Sequence, residues 1–157
     1  MYPILAVANL IVEYHHKHTI PQFCEVKLQK LLFLAEAWSY KIYKSPLIDD
    51  FFALSSTGPV NSWIHNKLKY YQGNTVQQFI SSANLVKGEH VIHYMIVPKN
   101  DQETRALVDK VISVYGDLRP TQLIYFTLKV AESLKLKEGS VLNREHFAGL
   151  NLKPVIN

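Results

Sequence analysis

A single cysteine, six scattered glycines and no apolar run approaching 18 residues set the first limits on this 157-residue chain. Cys24 alone excludes an intramolecular disulfide and suits a reducing, intracellular setting better than a secreted one. With no membrane-length run, and no basic segment leading into a long apolar stretch near residue 1, the sequence predicts a soluble cytoplasmic protein without a membrane partner. The scattered glycines assemble no phosphate-cradling loop. No Gly-x-Ser-x-Gly elbow, His-Glu-x-x-His pair or spaced cysteine set occurs. The residues make no positive case for an enzyme, and neither a cofactor nor a catalytic residue is expected.

Charge is in short supply as well. Charged residues make up 19% of the chain against 48% hydrophobic ones, the balance of a folded globule. Seventeen Lys and Arg against 13 Asp and Glu leave a formal charge of +4. The basic residues are spread along the chain, not gathered on one helix or loop, so nucleic-acid binding has only weak support. His15, His16 and His18 with Cys24 invite a zinc reading. The further ligand needed to complete four is missing nearby, and histidines at a helix end explain the cluster better; no metal site is expected. Asp49 and Asp50 are adjacent and point to opposite sides in an extended segment, which suits a turn more than an acid/base pair.

What the chain does have is helical periodicity. Leu28, Leu31, Leu32, Ala35, Trp38 and Ile42 recur at three- and four-residue steps, with no Gly or Pro between Cys24 and Ser45. This predicts a central helix of about six turns, with Lys27, Lys30, Glu36, Ser39 and Lys41 on its other faces. Ile4, Val7, Ala8, Ile11 and Tyr14 mark a helix before it, opened by Pro3. Ser56-Thr57-Gly58-Pro59-Val60 reads as a helix start, with Val60, Ile64, Leu68 and Tyr71 along one face and Gly73-Asn74 closing the element. Asn100 or Asp101 caps a helix with the face Leu107, Val108, Val111, Ile112 and Tyr115, stopped by Gly116. Leu118-Arg119-Pro120-Thr121 opens a last long helix through Leu123, Phe126 or Thr127, Val130 and Leu134, and a short turn is expected at Asn143–Phe147. Ile92, Tyr94 and Ile96 alternate with His93 and Met95 as a strand does, and Ser81-Ser82 reads as a break. The expected fold is α+β: one mostly helical domain over 1–157, about five helices, and a small antiparallel sheet with room for Phe51–Ser55.

The order of these elements carries a resemblance. Leu28-Gln29-Lys30-Leu31-Leu32, the Pro46-Leu47 turn, the acidic pair, then Gly58-Pro59-Val60 leading to Trp63 and Tyr70 resemble the Panacea domain of SocA-like antitoxins, a family that includes phage- and mobile-element-associated proteins. The match covers residues 4–73, and Tyr115-Gly116, Leu123 and Thr127 look like the family's C-terminal half, over 105–135. There are departures. Ser55, Ser56 and Thr57 stand where an aromatic residue usually precedes Gly-Pro-Val, Leu128 replaces a typical His after Thr127, and no Trp follows Trp63.

The resemblance implies a structural motif of Leu28, Gln29, Lys30, Leu31, Leu32, Trp38, Gly58, Pro59 and Val60. It also implies a non-catalytic protein that neutralises a cognate toxin by direct contact or as a proteolysis adaptor. The alternatives are a mobile-element protein that inhibits a host factor, and a nucleic-acid-binding regulator. Trp63 and Tyr70 are seven residues apart and displaced around the helix from Ile64 and Leu68, so they stack on a shared edge. That edge, with Lys67 and Lys69 beside it to steer an acidic partner, is the expected partner-binding surface.

Overall fold

The segment free of glycine and proline, Glu25–Tyr43, forms the second helix, α2, in the computed structural model, which describes residues 1–69 and 74–152. The Leu28 N–H donates to the Cys24 carbonyl at 3.0 Å, and the helix ends where Lys44 turns left-handed at φ 57°. Its neighbours are the helices α1 (Ile4–Lys17), α3 (Ser62–Leu68), α4 (Gln102–Tyr115), α5 (Pro120–Glu132) and α6 (Arg144–Ala148). Enclosed by these, α2 is buried on every face from Lys27 to Ala37, at roughly 1.5–3 kcal/mol for each large apolar side chain.

That enclosure corrects the one-stripe reading of α2. Lys27, Lys30, Glu36 and Ser39 are buried, whereas Ile42 is exposed and Trp38 is half-buried. The middle of the helix has packing on all sides, and its last turn runs out past its neighbours. Each buried polar group finds a partner. Lys27 Nζ donates to the Pro21 carbonyl, Lys30 Nζ to the Pro59 carbonyl at 3.1 Å, and Ser39 Oγ to the Ser45 carbonyl at 2.9 Å. Glu36 Oε2 accepts the Leu47 and Ile48 N–H groups, both at 2.8 Å.

Glu36 makes stability depend on pH. Burial pushes its carboxyl up to about 7, against the opposing pull of the two N–H groups. Between the ordinary 4.5 and about 7 the folded chain holds a proton that the unfolded chain has lost. Stability therefore falls as pH rises through that window and stays lower above it. Glu36→Gln keeps an acceptor oxygen and removes the charge. We expect it to match the wild type near pH 5 and to exceed it at pH 8 by on the order of 2–3 kcal/mol. Urea denaturation at the two pH values measures this; a variant less stable at pH 8 would show that the ionised carboxylate holds the Leu47–Ile48 turn better.

Two small antiparallel sheets flank the helices. In the first, β1 (Phe52–Ser55) lies between β2 (Gly58–Val60) and β5 (Val141–Leu142). Gly58-Pro59-Val60 is thus a strand and not the first turn of a helix. Ser55 pairs with Gly58 across a two-residue turn, the geometry of a tight hairpin. Pro59 is tolerated because β2 is an edge strand. The helix begins only after Asn61, whose Oδ1 accepts the Ile64 N–H at 2.9 Å. Tyr71 and Gly73, expected in the same helix, lie outside the described residues.

The second sheet pairs β3 (Ser81–Val86) with β4 (Glu89–Tyr94) in full register from Ser81↔Tyr94 to Val86↔Glu89. Ser81 and Ser82 therefore open a strand, not a break. Phe51–Ser55 does not join this sheet, because β1 finds its partners in the next turn and in the tail. The tail itself returns to the core: Phe147 stacks on Tyr40 at 5.3 Å and meets Phe33 at 5.7 Å. Asp101 caps α4 through the Thr104 N–H at 3.0 Å, and the Gln122 side chain accepts the Arg119 N–H at 2.8 Å where α5 starts.

Candidate protein-binding surface

The Leu28–Leu32 segment and the Gly58–Val60 segment meet through two polar side chains. Gln29 clamps the backbone of Asn61 from both sides, with Nε2 donating to its carbonyl at 2.8 Å and Oε1 accepting its N–H at 2.9 Å. Lys30 holds the Pro59 carbonyl two residues earlier, and burial lowers its ammonium to about 8. Gly58 sits at φ +94°, and a Cβ built there would stand 2.8 Å from Thr127 Oγ1. The β2–α3 corner is therefore wedged between α2 and α5. Asn61 completes the anchorage, its Nδ2 donating to the Phe51 carbonyl at 2.8 Å.

This anchorage sets which side of α3 faces out. Ile64 and Leu68 point into the core, whereas Trp63 is 40% exposed. Lys67, one turn on from Trp63, is half-buried and donates to the Ser81 carbonyl at 3.0 Å, joining α3 to the root of β3. Lys69 is exposed, and Tyr70 lies outside the described residues. His65 Nδ1 stands 2.7 Å from Glu25 Oε1, which ties the outer side of α3 to the start of α2. The structure thus places Trp63 and Lys67 on one helix edge beside the β3–β4 hairpin. Trp38 is elsewhere: its Nε1 donates to the Tyr115 hydroxyl at 3.0 Å, in a 330 Å³ apolar groove with Ile42, Val111 and Val114.

The hairpin is the feature that residue patterning understates. Asn9, buried in α1, holds its root by donating to the Ile80 and Met95 carbonyls at 3.0 and 2.9 Å and accepting the Ile80 N–H at 2.7 Å. Beyond the root the ribbon projects, and Leu85, Ile92, Tyr94 and Ile96 are 55–68% exposed. The alternation of Ile92, Tyr94 and Ile96 carried a signal for one apolar face; which way that face points is decided by Asn9.

His15, His18 and Cys24 do not converge on a metal. His15 Nδ1 accepts the Ile20 N–H at 2.9 Å, and among the described residues no group of three or more His, Cys, Asp and Glu could hold an ion. Among those residues, too, no helix is long and apolar enough to cross a membrane.

A profile described as "Antitoxin SocA-like, Panacea domain" matches residues 28–132, two thirds of the chain and the whole path from the Gln29 clamp through Thr127. The chain belongs to the SocA-like, Panacea-domain family. A curated relative, Antitoxin SocA of Caulobacter vibrioides, is 27% identical over 122 residues, covering 76% of this chain. The aligned region spans 61% of that relative's length. No solved structure matches significantly. An antitoxin role is what this membership supports, and the polar clamp, the wedged glycine and Thr127 all fall inside the matched Panacea region.

Proposed function

We propose that this chain neutralises a cognate toxin, a protein, by direct contact without catalysis, through the α3 edge that carries Trp63 and Lys67, together with Lys69 and Tyr70, which follow it in the sequence. The observation that carries the reading is Trp63, a large aromatic side chain left 40% exposed on a helix whose backbone is pinned by Gln29 and Asn61. A rigidly mounted, amphipathic ring of this kind is what protein interfaces use as an anchor, worth about 2 kcal/mol or more when a partner encloses it. Family membership supports the toxin as the partner, as does the relative bearing the name Antitoxin SocA. Nucleic acid is a poorer fit, since Lys27 and Lys30 are withdrawn into the core and Lys67 is engaged with the hairpin root.

Co-expression with the product of the adjacent gene tests the proposal. The wild type is expected to restore growth, and Trp63→Ala with Tyr70→Ala to lose most of the rescue while keeping the wild-type circular dichroism spectrum. Full rescue by a folded double variant moves the contact to another surface. A neighbouring gene that is not toxic removes the antitoxin reading and leaves inhibition of a host factor in its place. Should rescue require an intact cellular protease, the chain acts as an adaptor for proteolysis and not as a plain blocker.

A further inference from the structure

We infer that the β3–β4 hairpin is a self-association arm that takes a second copy of this chain, front face against front face about a twofold axis.

The two faces of the ribbon follow from strand alternation. At the root, Ile80, Ser82 and Val97 are buried and His93 and Met95 half-buried, all on the side toward the body. Leu85, Ile92, Tyr94 and Ile96 therefore face away, at 68, 66, 55 and 65% exposure, and Phe79 joins them edge-on to Tyr94 at 6.1 Å. Toward the tip even the back of the ribbon leaves the body, since Val86 and Val91 are also exposed. Two strands alone are marginal in water, and this sheet has only two, so both its outer edges lack a strand partner among the described residues. The root is nonetheless held by Asn9 and Lys67, which makes the ribbon a mounted arm.

Charge and area argue for a second copy as the occupant. No Asp, Glu, Lys or Arg lies among the front-face residues of the two strands, and the charges at the tip, Lys87 and Glu89, are of opposite sign. That face, on which His90 stands opposite Leu85 and Ser81 opposite Tyr94, offers an ionic partner little to recognise, whereas its apolar residues can meet their own twofold image. The five front-face side chains leave on the order of 500 Å² accessible, the size of the largest apolar patch on a typical monomer, which is often a functional one. Two such faces together reach roughly the 1,000 Å² that a specific dimer needs. Closing them together also stacks sheet on sheet, giving each two-stranded ribbon the packed face that it lacks.

Sedimentation velocity on the full chain tests this. The expected result is a species at twice the 18.0 kDa chain mass, growing with concentration. Leu85→Lys with Ile92→Lys is expected to sediment as a monomer, while Tyr125→Lys, on the exposed face of α5, stays dimeric. A wild type that remains monomeric at its highest soluble concentration overturns the proposal, and so does a dimeric double variant. If the double variant misfolds, hydrogen exchange on the wild type decides: amides of residues 81–94 are expected to exchange more slowly as concentration rises. Exchange independent of concentration, or protection that comes only with an added toxin, overturns it. None of these readouts for self-association needs a toxin, so they fail or succeed independently of the antitoxin reading.

Discussion

Gly58→Val is expected to cost about 3–5 kcal/mol of folding stability, from two sources that add. The backbone at Gly58 stands at φ +94°, where a β-branched side chain is strained. The new Cβ would also stand 2.8 Å from Thr127 Oγ1, closer than such contacts allow, with Lys30 Nζ at 3.4 Å on another side. Thr127 has little room to yield, because its hydroxyl donates to the Leu123 carbonyl at 2.9 Å inside α5. Urea denaturation of Gly58→Val, Thr127→Ala and the double variant separates the two sources. Removing Oγ1 is expected to recover about 1–2 kcal/mol, leaving the backbone strain in place. A Gly58→Val melting temperature equal to that of the wild type would mean that the β1–β2 turn relaxes at no cost.

The other large effect is expected at Phe33. Phe33→Ala should destabilise by about 3–5 kcal/mol, because the fully buried ring meets Phe52 at 5.8 Å and Phe147 at 5.7 Å and its loss opens a cavity that three elements share. Trp38→Ala is the comparison. Trp38 is half-buried and one side of it opens on the groove beside α4, so about 2 kcal/mol is expected there from the smaller area returned to water. Equilibrium denaturation of both variants under one set of conditions gives the ranking. A larger loss at Trp38 than at Phe33 would mean that the Trp38–Tyr115 hydrogen bond ties α2 to α4 more tightly than the aromatic cluster ties the tail.

The Phe33 case shows how periodicity reads one face of α2 and misses the other. Leu28, Leu31, Leu32 and Ala35 mark a stripe, and Phe33 stands off it, yet all five are buried. A helix enclosed on all sides has no single stripe, and a lysine or glutamate in its sequence looks like solvent face until a carbonyl or a pair of N–H groups is found waiting for it. The candidate surface divides in the same way. That Trp63 leaves the Ile64–Leu68 face follows from helical spacing alone. That Lys67 reaches the root of β3, and so sits between α3 and the hairpin, does not.

Local chemistry in the chain by itself determined where most helices begin and end. Asp101 and Asn143 as caps, Pro120 in a first turn, and the unbroken run from Glu25 to Tyr43 act through neighbours within about four residues. It also determined the α+β class and, through Leu28–Leu32 and Gly58–Val60, the family. The tertiary structure decided what depends on distant partners. Gly58-Pro59-Val60 is a strand and not a helix start because Gln29, 32 residues from Asn61, fixes the chain just beyond it, and β1 offers a ladder. The β3–β4 ribbon is aimed outward because Asn9, 71 residues from Ile80, binds both sides of its root. Hydrogen bonds of that span leave no periodic trace in the sequence, since each needs only one Asn or Gln at one position, and what they add appears only when the core closes around them.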